Sequence, residues 1–250
     1  MIHTNSQSFE CCPIVELRQY TLHPGARDTL VALFDSEFIE SQEEVGIDVI
    51  AQFRDIDRPN VFTWLRGFPS MAARATALQS FYDGPVWTRH RDAANATMIE
   101  WHNVRLLRPV RPRSGITVAR HRPGRDTTAP QPDIVVVTIY SLAHDAANEF
   151  PQWFDGVIAP HLIATDARPI ARLETESSPN TFPRLPVREG EHAFVWMARF
   201  RDVAAYDRHR SALLARPRWT AEVEPALRRC LTAPVEVLRL EPTLRSRRLL

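Results

Sequence analysis

Residues 62–68 read Phe62-Thr63-Trp64-Leu65-Arg66-Gly67-Phe68, and residues 194–200 read Phe194-Val195-Trp196-Met197-Ala198-Arg199-Phe200. Phenylalanine, tryptophan and phenylalanine return at one spacing, 132 positions later. Pro85, Trp87 and Thr88 return at that same offset as Pro217, Trp219 and Thr220, and Tyr20 returns 120 positions later as Tyr140. The second copy thus carries about twelve extra residues between its first strand and its aromatic strand. A period this long is not a solenoid, whose units run to roughly 20–50 residues. It signals two sister domains, and two sisters can face each other and enclose a cavity.

Outward from the aromatic strands, the hydrophobic pattern fills in the rest. Residues 14–22 alternate as a strand, His23-Pro24-Gly25 turns the chain, and Leu30, Phe34 and Phe38 make a helical stripe that Gly46 ends. Strands are expected over 47–54 and 61–68, a helix capped by Ser70, a short helix after Trp87, and a fourth strand over 97–107. That order is β-α-β-β-α-β, the ferredoxin-like arrangement. The second half repeats it, with strands over 133–142, 168–175, 193–200 and 234–240, a helix from Asp145 and another capped by Asp202. The extra residues fall in a loop over 176–192.

This reading divides the chain into a leader (1–13), a first α+β domain (14–109), a linker (110–132), a second α+β domain (133–243) and a tail (244–250). The stretch 108–132 holds five prolines and six arginines and reads as a stiff, solvated connection. It lacks the interleaved aromatics that a nucleic-acid groove uses. The tail reads as frayed.

The composition excludes several function classes. The net charge of the 250 residues is +1, so no global field draws nucleic acid or an anionic membrane. No apolar run approaches the roughly 20 residues of a bilayer span, and the start of the chain does not resemble a secretion signal. A cytoplasmic protein is expected, with neither nucleic acid nor membrane as partner. All 31 basic residues are arginine, which removes lysine Schiff-base chemistry and a lysine-bearing phosphate loop. The eight glycines are scattered singly, so no dinucleotide cradle is present. Of three cysteines, Cys11 and Cys12 are adjacent, and adjacent cysteines rarely bridge; neither a disulfide framework nor a structural zinc site is expected.

The first half resembles the NIPSNAP family. Glu16-Leu17-Arg18-Gln19-Tyr20-Thr21-Leu22 with Pro24-Gly25 is similar to its opening strand and turn, Gly46 through Gln52-Phe53-Arg54 to its second strand, Phe62-Thr63-Trp64-Leu65-Arg66 to its aromatic strand, and Pro85-Val86-Trp87 to its later tryptophan motif. The second half matches more weakly, with Thr138 where Arg18 stood and Ala198 where Arg66 stood. The resemblance implies the dimeric α+β barrel superfamily. Here that means an α+β fold of tandem ferredoxin-like (βαββαβ) repeats closing one barrel within the chain. The superfamily includes cofactor-independent monooxygenases, small cyclases and isomerases, and haem-handling enzymes, so it implies no single reaction.

Strand alternation then selects a cavity face. Val135, Val137 and Ile139 are uniformly apolar, so that face is expected beneath the helices, with Val15, Leu17 and Gln19 as its first-half partners. The opposite face is expected to line a cavity between the two sheets. It would be polar near Glu16, Arg18 and Tyr20, and mainly aromatic near the second half.

The candidates follow from that assignment. Arg18 or Arg66 would stabilise an enolate or phenolate, and Glu16, His102 or His161 would move a proton. Tyr20 and Tyr140 would donate hydrogen bonds, Trp64 and Trp196 would hold a ring system, and Gln52 would add a polar contact. Each has a structural alternative: Glu16 and Arg18 can simply pair, and the two tryptophans can simply pack. The expected activity is cofactor-independent cyclisation, isomerisation or oxygenation of a small, largely apolar substrate, with no metal. The alternatives are a non-catalytic small-molecule-binding or adaptor protein, and a haem enzyme using His102 or His161. Because both halves share one chain, the protein can be a monomer or a homodimer.

Overall fold

Residues 8–250 are described by a computed structural model. The first half contributes strands β2 (Ile14–Leu22), β3 (Asp48–Asp55), β4 (Val61–Phe68) and β5 (Met98–Pro109). The second contributes β7 (Ile134–Leu142), β8 (Ala171–Thr175), β9 (His192–Phe200) and β10 (Glu236–Pro242). These eight form one closed antiparallel barrel in the order β10-β3-β4-β2-β5-β8-β9-β7, with β7 returning to β10. The halves meet along two seams, β5 with β8 and β10 with β3.

Helices cover the outside. In the first half α1 (Arg27–Leu33) runs through a π-helical turn (Phe34–Phe38) into α2 (Ile39–Glu43), followed by α3 (Met71–Tyr82) and α4 (Pro85–Asn95). Ser70 caps α3 by accepting from the Ala73 amide at 3.1 Å. Gly46, with φ of +88°, reverses the chain after α2. The second half repeats the pattern with α5 (His144–Ala147), α6 (Phe150–Trp153), a π turn (Phe154–Ile158), α7 (Ala159–Ile163) and α8 (Val203–Leu214), capped by Asp202. A third π turn (Trp219–Val223) leads into α9 (Glu224–Cys230). None of the described helices is long and apolar enough to cross a membrane.

The expected assignment of faces is reversed. Val15, Leu17, Val135, Val137 and Ile139 point into the barrel, where they pack with Phe53, Leu65, Val195, Met197, Leu238 and Leu240 in one apolar core. Glu16, Arg18 and Tyr20 lie on the outer face, beneath the helices. The reason is geometric: an eight-stranded barrel has an interior just wide enough for side chains to fill. The most uniformly apolar face therefore goes inward, and no polar-and-aromatic hollow separates the two sheets. Charge is carried in the layer between sheet and helices and, on the inward face, by Arg105, which pairs with Glu236 at 3.1 Å beside Gln19.

Three further expectations are corrected. The stretch read as a solvated linker is pinned down: Ser114, Ile116 and Val118 are buried, and β6 (Thr117–Ala119) pairs with β1 (Ser8–Glu10). Residues 1–7 of the expected leader lie outside the described residues. The tail is not frayed: Arg245, Ser246 and Leu249 are buried, and Leu249 bridges to Val118. Apolar side chains between the charges at Ile116, Val118 and Leu249 supply the anchoring that the arginines and prolines concealed. Cys11 and Cys12 are joined to each other as a vicinal disulfide.

Candidate active site

Pairing across the first-half sheet builds the site in rows on the helix-facing side. Val49, Arg66, Glu16 and Leu106 form one row. Gln52, Trp64, Arg18 and Val104 form the next, and Phe62 pairs with Tyr20 in the third. A period-2 strand delivers Glu16, Arg18 and Tyr20 to this one face. The aromatic strand delivers Phe62, Trp64 and Arg66.

Glu16 is the hub. Its Oε2 accepts from Arg18 Nη1 at 2.5 Å and from Arg66 Nε at 2.7 Å, while Oε1 accepts from Arg74 Nε at 2.6 Å. Glu16, Arg18, Arg66 and Arg74 are each 0% exposed. Three guanidiniums therefore surround one carboxylate away from water, leaving an excess of two positive charges. Burial alone would push the Glu16 carboxyl up, but Arg66, Arg18 and Arg74 overcome it and hold the group well below the usual carboxylate range. Glu16 is thus a fixed anion, too acidic to serve as a general base.

Arg18 Nε donates to the Tyr20 hydroxyl at 2.9 Å. Burial pushes the Tyr20 phenol up, against the pull of Arg18, so the phenol stays protonated and its own hydrogen is available to a third partner. Trp64 completes the wall. The guanidinium carbons of Arg18 and Arg66 lie 5.5 and 5.2 Å from its ring centre, and Phe34 of the π turn meets it edge-on at 4.8 Å. π turns often mark functional sites, because the extra residue re-aims the side chains around it.

Several buried polar atoms on this face lack a partner: Arg66 Nη2, Arg74 Nη2, Trp64 Nε1, and both amide atoms of Gln52. In a native interior such atoms are rare and usually mark water, an ion or a ligand.

Arg74 and Gln42 were not singled out from the sequence. Arg74 shares the buried stripe of α3 with Ala77, Leu78 and Phe81 at helical spacing. An arginine inside an apolar stripe was the readable signal. Gln42 sits likewise beside Phe38 and Ile39; its Oε1 accepts from Arg66 Nη1 at 3.4 Å and its amide donates to the Phe38 carbonyl.

A loop of the second half roofs the cluster. Arg74 Nη1 donates to Asn180 Oδ1 at 3.0 Å and Thr181 Oγ1 at 3.2 Å, and Phe182 stacks on Tyr82 with ring centres 5.8 Å apart. The same loop walls a half-open groove of about 1220 Å³, which runs from Leu106 past Glu174 and Glu176 to Phe194 and Pro151.

The remaining candidates do not join this cluster. His102 is exposed near the start of β5, its ring 4.5 Å from that of Trp101. His161 belongs to the second half, where it is buried beside Trp219 and its Nδ1 accepts from Arg216 Nε at 3.0 Å. Burial, reinforced by Arg216, pushes the His161 imidazole down, which keeps it neutral. An exposed histidine and one enclosed by an arginine and an indole do not frame an axial haem position. Tyr140 and Trp196 bond each other, Nε1 to hydroxyl at 3.2 Å. Around them, Val136, Thr138, Ala198 and Tyr206 stand where the first half has Glu16, Arg18, Arg66 and Arg74. The second half keeps the aromatics and lacks the charges.

Solved structures share this architecture. An anthrone oxidase-like protein superposes with a TM-score of 0.56 at 12% identity, over 97% of this chain and 96% of its own. A candidate monooxygenase from Fusobacterium nucleatum gives 0.56 at 9% identity, over 96% and 95%. At these identities the likeness is one of fold. A NIPSNAP-like domain protein from Burkholderia xenovorans is 25% identical over 45% of this chain and 86% of its own, with a TM-score of 0.37. No curated protein matches the chain. The family model NIPSNAP matches residues 15–112, the span that carries Glu16, Arg18, Arg66 and Arg74, and this first half is a NIPSNAP domain.

Proposed function

We propose that the first half is a cofactor-independent enzyme site for a small, largely apolar aromatic substrate with an ionisable oxygen, and that its reaction is oxygenation at an activated carbon. The observation that carries this is the excess of two buried positive charges beside unpartnered donors. Such an arrangement favours a substrate that becomes an anion. Arg66, Arg74 and Tyr20 would stabilise the enolate or phenolate oxygen, Trp64 would hold the ring, and Gln52 would orient a polar substituent. Glu16 neutralises part of the cluster and fixes its geometry. The arginine field lowers the pKa of the substrate itself, and the proton leaves to solvent. For an anthrone the balance is then simple: the CH₂ carbon becomes a carbonyl, one O₂ is consumed and one water is released.

The fold-level neighbours described as a candidate monooxygenase and as anthrone oxidase-like support oxygenation over cyclisation or isomerisation. The groove beside the loop over 176–191 offers a route in, with displacement of Asn180 and Thr181 admitting substrate to Arg74. We also read residues 14–109 and 133–243 as two domains of one ancestry, the second serving as support. The adaptor reading draws on the same loop, which already satisfies part of Arg74 and would make the cluster purely structural.

The deciding experiment follows oxygen uptake and quinone absorbance with a panel of anthrones and phenols. Wild-type turnover that falls at least tenfold in Arg66→Ala and Tyr20→Phe supports the enzyme. No uptake above buffer, with no ligand binding by calorimetry, would leave the adaptor reading standing alone.

A further inference from the structure

The second place where reactive side chains converge is remote in chemistry from the arginine cluster. Cys11 and Cys12 lie between β1 and β2, and the Cys11 amide donates to the Ile116 carbonyl at 2.7 Å. Both sulfurs face one oxygen: Cys11 Sγ is 3.2 Å and Cys12 Sγ 3.7 Å from Asp48 Oδ2. The other oxygen, Oδ1, is held by Arg247 Nη1 at 2.5 Å, and Arg247 also pairs with Glu43 at 2.9 Å. Gly67 makes the room. A Cβ there would collide with Cys12 Sγ and lie 2.6 Å from Cys12 Cβ.

We propose that Cys11, Cys12 and Asp48 form a redox-gated site for a thiophilic divalent cation of the zinc class, open when the two thiols are reduced and closed when they are a disulfide. As a disulfide the sulfurs carry no proton, so their lone pairs face a carboxylate oxygen with nothing between them. Reduction reverses this. Two thiols can donate to Oδ2, and two thiolates with Oδ2 supply three ligands of the types zinc prefers, leaving the fourth position of a tetrahedron for water. The three ligand atoms lie within 4.8 Å of one another. Charge also balances: two thiolates and a carboxylate around a divalent ion leave one negative charge, which Arg247 offsets. Arg247 holds the non-ligating oxygen, as outer-shell partners of a metal carboxylate do. Cys12 and Asp48 are partly exposed, so both a cation and an oxidant can reach them.

Closure is a thiol–disulfide exchange. The two thiols and one external disulfide, such as glutathione disulfide, give the Cys11–Cys12 disulfide and two glutathione thiols, with two electrons passing to the external disulfide. Cys230, partly buried on α9 in the second half, takes no part.

The test is a zinc competition titration of the full chain against a chromophoric chelator, under anaerobic phosphine reduction. One zinc ion per chain is expected, with affinity falling at least 100-fold in Cys12→Ser and Asp48→Asn, and about 10–100-fold in Arg247→Ala, the range for an outer-shell partner. Cys230→Ser should bind as wild type. Glutathione disulfide should abolish binding, and phosphine should restore it. Circular dichroism identifies any variant that fails to fold, and Gly67→Ala, which crowds Cys12 without removing a ligand, provides an independent loss. Reduced wild type holding no more zinc than the Cys11→Ser/Cys12→Ser double variant would overturn the proposal, as would equal binding by the oxidised chain.

Discussion

Trp196 Nε1 donates to the hydroxyl of Tyr140 at 3.2 Å, a bond that the sister pair Trp64 and Tyr20 does not make. In the first half Arg18 has taken the tyrosine hydroxyl, and Trp64 Nε1 is left buried without a partner. With Thr138 in the place of Arg18, Tyr140 turns to the indole instead. The exchange of arginine for threonine thus accompanies a change of hydroxyl partner, from indole to guanidinium, and leaves the first-half indole a spare donor.

The two tryptophans should respond differently to removal of the indole nitrogen. Trp196→Phe strands a buried hydroxyl and should cost about 1–3 kcal/mol beyond the packing loss common to both. Trp64→Phe deletes a donor that has no partner and should cost less. Urea denaturation of the two variants gives the comparison directly; equal costs would mean that the hydrogen bond adds nothing.

Glu16→Gln leaves three guanidiniums without their counter-charge and should destabilise the protein by about 3–5 kcal/mol near neutral pH. The sign of its pH dependence follows from the depressed carboxyl. The stabilisation is fully present above the ordinary value of 4.5 and is lost as pH falls below it toward the folded-state value. Denaturation midpoints of wild type and variant should converge on acidification, and a gap independent of pH would contradict the ion cluster.

Removing the whole cluster should be gentler than removing its hub. Glu16→Val, Arg18→Thr, Arg66→Ala and Arg74→Tyr together copy the second half into the first. Buried ion networks are often matched or exceeded in stability, by about 1–4 kcal/mol, when well-packed apolar residues replace them. The fourfold variant is expected to fold with at least wild-type stability and to lose all turnover or ligand binding. Calorimetry together with the oxygen-uptake assay tests both halves of that statement.

Asp35 in the first π turn offers a second titration. Its Oδ1 is buried and unpartnered, and burial pushes its carboxyl up to about 6 against the pull of Arg245. The folded state therefore resists ionisation, and wild-type stability should decline relative to Asp35→Asn as pH rises from about 4 to about 6, then level off. Allowing for its partial exposure, the plateau difference should be on the order of 1 kcal/mol. Chemical denaturation across this range would show it.

The strand order and most helices were legible because periodicity does not depend on which side of a sheet is inside. Residues 14–22 and 61–68 fall on β2 and β4, and Ser70 and Asp202 cap the helices they precede. Face assignment failed because alternation gives two faces and does not say which one a closed barrel turns inward. Val137 and Arg18 do lie on opposite faces, with Val137 inside the barrel and Arg18 beneath the helices. The grouping of Glu16, Arg18, Tyr20, Trp64, Arg66 and Gln52 survives that reversal, since neighbours on one face stay neighbours. Arg74 and the roof formed by Asn180 and Thr181 come from a helix and a distant loop, and no strand pattern connects them to Glu16.

The seams between β5 and β8 and between β10 and β3 lie within one polypeptide. A ring assembled from two separate copies would fall apart on dilution, and any change in one copy would be imposed on the other. Here tethering holds the partners at an effective concentration in the millimolar range or above, so closure is indifferent to abundance. It also lets the two lobes differ: Val136, Thr138 and Ala198 stand where the first lobe carries Glu16, Arg18 and Arg66, a divergence that a ring of two identical copies could not hold.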